Sequence, residues 1–156
     1  MRRSDQRREA AFAIYQHDVT GRDLDELLGE AKPFTRALAE GTAGEIESLD
    51  AEIGAHARGW SIDRIAPLEK AIMRVALFEI HHRDDVPTPV AIDEAVSNAG
   101  RYCAADAPGF VNGVLSAASR DTASGRAPTE RADPAAAPEP TPAAASTTDA
   151  DDGEAA

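Results

Sequence analysis

The chain has 156 residues, a net charge of −12 and a single cysteine. That length suggests one domain, the cysteine count excludes an internal disulfide and suits a reducing cytoplasm, and the overall acidity argues against a uniformly basic nucleic-acid binder. The composition is uneven. From Asp121 to Ala156 there is no Val, Ile, Leu, Met, Cys or aromatic residue, so this stretch lacks the apolar surface needed to offset ordering entropy. It is expected to be a disordered acidic Ala/Pro-rich tail, leaving residues 1–120 to make the fold. The tail is either a solubilising segment or an electrostatic competitor for a basic patch elsewhere.

That basic patch opens the chain. Arg2, Arg3, Arg7 and Arg8 outnumber Asp5 and Glu9, and the alanine-rich amphipathic pattern that follows lacks the apolar run of a signal peptide. Ala11, Ile14, Tyr15 and Val19 recur at helical spacing, predicting a helix from about Ser4 to Val19, with Ser4 and Asp5 as caps and Thr20-Gly21 as its end. A short helix is expected from Asp23 to Leu28, stopped by Gly29.

Pro33 fits the first turn of a third, longer helix with Phe34, Leu38, Gly41, Ile46, Leu49 and Ile53 inward, ending near Gly59. Glycine costs about 1 kcal/mol relative to alanine inside a helix. Gly41 therefore marks a close crossing with a neighbour, a local break shared with Gly44, or a tolerated glycine. Trp60 to Arg64 reads as a short helical turn capped by Ser61, with Trp60 as an apolar wedge.

The segment from Leu68 to Ile80 is apolar nearly all round, with Ala71, Ile72, Met73, Val75, Ala76, Leu77 and Phe78 among its residues. A helix of that kind is central and buried. It is too short, and too interrupted by Lys70, Arg74 and Glu79, to cross a bilayer. Charges at Arg74 and Glu79 are either buried in pairs with neighbouring helices or face an external partner. After a stiff connector from Asp84 to Pro89, further helices are expected from Pro89 to about Arg101 and from Ala107 to Ser119, the latter with Asp106 as a cap. No strand pattern occurs, so the fold class is all-α, with six or seven helices.

Catalytic constellations are missing. His81 and His82, with Asp84 and Asp85, could be imagined as a metal site, but adjacent helical residues point about 100° apart, unlike paired ligands at i and i+4. They read better as solvated residues that suit a helix C-terminus. Asp93 and Glu94 fit the dipole of an early helical turn, and Cys103 has no base near it in sequence. There is no phosphate-binding glycine loop and no nucleophile elbow, and no cofactor or metal is expected. The four arginines, by contrast, could neutralise RNA phosphates or stack on splayed bases.

The run KAIMRVALFEIHHRDDVPTPVAIDEAV at Lys70 to Val96, GFVNGVL at Gly109 to Leu115, RREAAFAIYQ at Arg7 to Gln16 and the stretch Trp60 to Arg64 together resemble the NusB family of bacterial transcription antitermination factors. The likeness spans almost all of residues 1–120. It implies two packed three-helix subdomains plus a short helix, no catalytic activity, and pairing with the small ribosomal subunit protein NusE. The pair would bind the boxA element of nascent RNA and help RNA polymerase read through terminators, notably in ribosomal RNA operons. The resemblance further implies RNA contact by Arg2, Arg3, Arg7 and Arg8. It places Tyr15 and Glu79, with Arg74 and Phe78 as neighbours, at the NusE surface, which would give the two charges a partner outside the fold. Two alternatives stand beside it. One is a helical homodimer formed through the surface around Tyr15 and Phe78 that binds no RNA. The other is a relative of the RNA-binding domain of ribosomal RNA methyltransferases, which the absence of a nucleotide-binding fingerprint disfavours.

Overall fold

A helix that must bury every face needs neighbours on every side, and the computed structural model, which describes residues 1–123, supplies them. Seven α-helices and one 3-10 turn follow one another: α1 (Arg3–Thr20), α2 (Leu24–Leu28), α3 (Pro33–Gly44), α4 (Ile46–His56), the turn at Ile62–Arg64, α5 (Pro67–His82), α6 (Thr88–Tyr102) and α7 (Ala107–Ala123). Helix α5 packs against α1, α3, α4, α6 and α7. Each residue from Ala71 to Leu77 is buried. Among the described residues there is no strand. The tail expected from Asp121 begins later, since α7 runs on to Ala123; the rest of that expectation, 124–156, lies outside the described residues.

Two groups of helices meet on α5. Helices α1, α2 and α3 pack together on one side, while α4, α6 and α7 surround the other, with α6 against α7 and α7 against α4. Ile14, Leu38, Leu49, Ile53, Met73, Leu77, Val111 and Leu115 are the large apolar side chains removed from water. Each contributes roughly 1.5–3 kcal/mol of transfer free energy, which makes this shared seam the main source of stability.

The expected long third helix is two helices. At Glu45 the backbone leaves helical geometry (φ −126°, ψ 21°), ending α3 and starting α4. Gly41 has its own role in this. A Cβ placed there would lie 2.1 Å from Cζ of Phe78, so the glycine is what lets α3 cross α5 at the Phe78 ring.

Other boundaries follow local chemistry. Gly21 takes the left-handed conformation (φ 70°) that closes α1, and the Asp23 carboxylate accepts from the Glu26 amide to start α2. Ser4 does not cap α1; the helix starts one residue earlier, and the Ser4 hydroxyl donates to Glu94 at 2.7 Å instead. Ser61 likewise makes no side-chain cap. Trp60 is not a wedge: it is 53% exposed, edge-on to Phe110 at a centroid distance of 6.3 Å. No described helix is long and apolar enough to cross a membrane.

Candidate functional site

The four N-terminal arginines separate into distinct environments because a helix turns each side chain about 100° from the last. Arg2 and Arg3 are exposed at the start of α1. Arg8 is half-buried and pairs with Asp5 one turn earlier at 3.1 Å. Arg7 points inward and is only 8% exposed. Its Nε donates to both carboxylate oxygens of Glu79 at 2.9 Å, and Nη2 donates to Oε1 at 2.6 Å. A weaker contact at 3.9 Å reaches Glu94.

Glu79 is 1% exposed, so the carboxylate expected to face a partner is turned into the bundle by Arg7. Arg74 is 3% exposed, with Nε and Nη2 donating to Asp50 of α4 at 2.6 and 2.7 Å and Nη1 3.4 Å from Asp18 of α1. Both charges therefore have internal partners. A buried ion costs several kcal/mol unless it is paired and hydrogen-bonded, and α1 and α4 supply the pairing.

Phe78 and Tyr15 remain half-buried at the rim. The Phe78 ring lies over Gly41 on one side and 4.7 Å from the His82 ring on another. Tyr15 lies one turn before Asp18 on the same face of α1, the face that meets Arg74.

His81 and His82, considered above as metal ligands, turn to α4 instead. Nε2 of His81 lies 2.6 Å from Oε2 of the buried Glu52, and Nε2 of His82 lies 2.8 Å from Oε2 of Glu45. The Glu52 hydrogen bond raises the His81 pKa above the ordinary imidazole value, with burial opposing it and the charges of Glu52 and Glu45 assisting. Among the described residues no three of His, Cys, Asp or Glu are placed to hold a metal ion.

Three features escaped the sequence reading. Phe34 is ringed by Arg3, Arg7 and Arg83, with guanidinium carbons 3.8, 5.4 and 5.2 Å from its centroid. The spacing places Phe34 on the inward face of its helix and says nothing of Arg83; only the fold brings them together. Tyr102 is an exposed ring stacked edge-on against Phe12, 5.1 Å between centroids. Glu69, in the first turn of α5, is half-buried, and burial followed by the charge of Asp106 pushes its carboxyl up. Burial and the nearby Glu69 likewise push the Cys103 thiol up, away from the reactive thiolate.

Comparison with known proteins is decisive at the level of family. The NusB family model matches residues 4–120. A transcription antitermination protein NusB of Rubrobacter xylanophilus is 37% identical over 122 residues, covering 74% of this chain and 88% of the relative. This chain belongs to the NusB family. The shared architecture extends to solved NusB structures. T. maritima NusB superposes with a TM-score of 0.72 at 27% identity, over 78% of this chain and 92% of that one. A NusB structure solved with NusE and double-stranded RNA gives a TM-score of 0.68 at 26% identity, over 76% and 96%. Aquifex aeolicus NusB, solved in solution, gives 0.67 at 27% identity, over 81% and 95%. For a NusB, the exposed pair Arg2 and Arg3 and the half-buried Arg8, Tyr15 and Phe78 are the parts of the expected surfaces that solvent reaches.

Proposed function

We propose that the chain is a non-catalytic transcription antitermination adaptor of the bacterial cytoplasm. It pairs with the small ribosomal subunit protein NusE, and the pair binds boxA RNA and promotes read-through by RNA polymerase, notably in ribosomal RNA operons. The observation that carries this reading is the match along nearly the whole described fold to a NusB solved together with NusE and double-stranded RNA. Exposed arginines at the head of α1 add the charge such a role needs on an otherwise acidic chain.

Exposure supports a division of labour among the residues of these surfaces. RNA is contacted by Arg2 and Arg3, with Arg8 at the edge and Arg7 holding α1 in place from beneath. NusE is met by Tyr15 and Phe78, which Arg74 and Glu79 support from inside. The test is binding of labelled boxA RNA against a scrambled control, with and without NusE, across a salt series. Binding that is tighter with NusE and selective for boxA is expected. Equal weak binding to both RNAs, unaffected by NusE, would overturn the adaptor reading.

A further inference from the structure

The surroundings of Phe34 hold a second feature. The ring sits at the start of α3, 8% exposed, and draws guanidiniums from both α1 and the residue after α5. The negative face of an aromatic quadrupole attracts such cations. Their charges are satisfied differently. Arg7 is committed to Glu79. Arg3 has no carboxylate within ion-pair distance among the described residues. Arg83 is engaged by Asp85, two residues on, through Nε to Oδ1 at 3.1 Å and Nη2 to Oδ2 at 3.0 Å.

That two-pronged grip is the geometry a guanidinium uses for either a carboxylate or a phosphate. Asp85 is 62% exposed, so water reaches the pair, and an exposed ion pair nets little free energy. The Asp85 carboxyl is held below the usual carboxylate range first by the Arg83 hydrogen bond, with the charges of Arg83 and Arg3 also acting. Asp85 thus sits in a field made by several arginines. Exposed Arg2 and Lys32 flank the same end of the bundle.

We propose that Arg3 and Arg83, braced on Phe34, form a cradle for an RNA phosphate, and that Asp85 fills this cradle in the free protein and is displaced when RNA binds. This rests on the RNA-binding reading above. The two non-bridging oxygens of a phosphodiester replace the two carboxylate oxygens on the Arg83 fork, and Arg3 closes from the side. Asp85 is then an internal competitor that lowers affinity for stray polyanions.

The experiment measures single-stranded RNA binding by the full chain, with and without NusE, for the wild type, Asp85→Asn, Asp84→Asn and Arg83→Gln. Asp84 is an exposed neighbour and controls for the loss of one negative charge. Asp85→Asn should tighten binding by about threefold to fivefold, the scale of an exposed ion pair, and Asp84→Asn by distinctly less. Arg83→Gln should weaken binding by about threefold, lower the salt slope by about 0.7 as one phosphate contact is lost, and abolish the gain when combined with Asp85→Asn. Equal gains from the two aspartate variants would reduce the effect to long-range field and overturn the cradle. So would RNA affinity indifferent to Arg83, or a gain seen toward NusE alone and not toward RNA. In those three outcomes the adaptor reading survives; no RNA binding by any variant, even with NusE, would overturn both.

Discussion

The guanidinium of Arg7 and the carboxylate of Glu79, 72 residues apart in the chain, meet in a buried two-pronged pair that pins α1 to α5. Removing one partner leaves the other as an uncompensated charge, which costs about 3–5 kcal/mol. Glu79→Ala and Arg7→Ala should each lower stability by that order in urea unfolding. The double variant Arg7→Met, Glu79→Leu should recover most of the loss, since apolar replacements of both partners are often neutral. A loss of RNA or NusE binding in the single variants would then track unfolding. If either single variant unfolds at the wild-type midpoint, the pair does not hold the helices together.

The crossing of α3 over α5 rests on the absence of one carbon. Gly41→Ala would put a methyl group 2.1 Å from Phe78 Cζ, so the ring must swing away or the helices must part. Overpacking of this kind costs about 1–3 kcal/mol. Phe78→Leu in the same chain should relieve most of it, and thermal unfolding of the two variants side by side measures the coupling. Because Phe78 also borders the proposed NusE surface, Gly41→Ala should weaken NusE pairing more than its stability loss alone predicts. A Gly41→Ala protein as stable as the wild type would show that α3 does not depend on the missing side chain.

How much of this was legible beforehand depends on the range of the interaction. Helix α5 was legible because its apolar residues surround the axis, and the start of α3 at Pro33 because proline fits a first turn. Gly41 and Gly44 signalled both of the things they do, but spacing alone could not separate a crossing from a break. The pairings of Arg74 with Asp50 and of Arg7 with Glu79 were invisible, since side-chain rules for helices reach only three or four residues. For that reason Arg7 looked equivalent to Arg2 and Arg3. The family resemblance names candidate surfaces, and exposure divides their residues into those that solvent reaches and those that it does not.

The division among the arginines makes its own prediction. Arg2→Ala with Arg3→Ala removes two exposed cations and the contact of Arg3 with the Phe34 ring, but no ion pair. Stability should fall by no more than about 1 kcal/mol, the scale of one solvent-exposed cation–π contact. RNA affinity should fall for boxA and scrambled sequences alike, and the salt slope should lessen by about 1.4, two phosphates at the single-strand coefficient. A selective loss for boxA would instead mean that these residues read bases. An unchanged slope would remove them from the interface.

Histidine links give the α4 edge a dependence on pH. Besides Arg74–Asp50, α4 and its flanking residue Glu45 are joined to the rest of the bundle through His81–Glu52, His82–Glu45 and His56–Asp121, the last at 3.1 Å. The folded pKa of His81 is raised, chiefly by the hydrogen bond to Glu52. Its contribution to stability is therefore fully present below the unfolded imidazole value of about 6.5 and is lost as pH rises through the folded value. Above that range Glu52 faces a neutral ring in place of an imidazolium, so α4 should loosen before the α5 core does. His81→Gln should destabilise the chain clearly at about pH 6 and much less in the alkaline range, where the wild type has already lost the charged pair. Urea unfolding of the two proteins across that range measures the difference, and hydrogen exchange should show the α4 amides opening first as pH rises, after correction for intrinsic exchange. A stability gap between wild type and His81→Gln that is constant with pH would mean that the His81–Glu52 contact holds α4 as a neutral hydrogen bond, with no charge to lose.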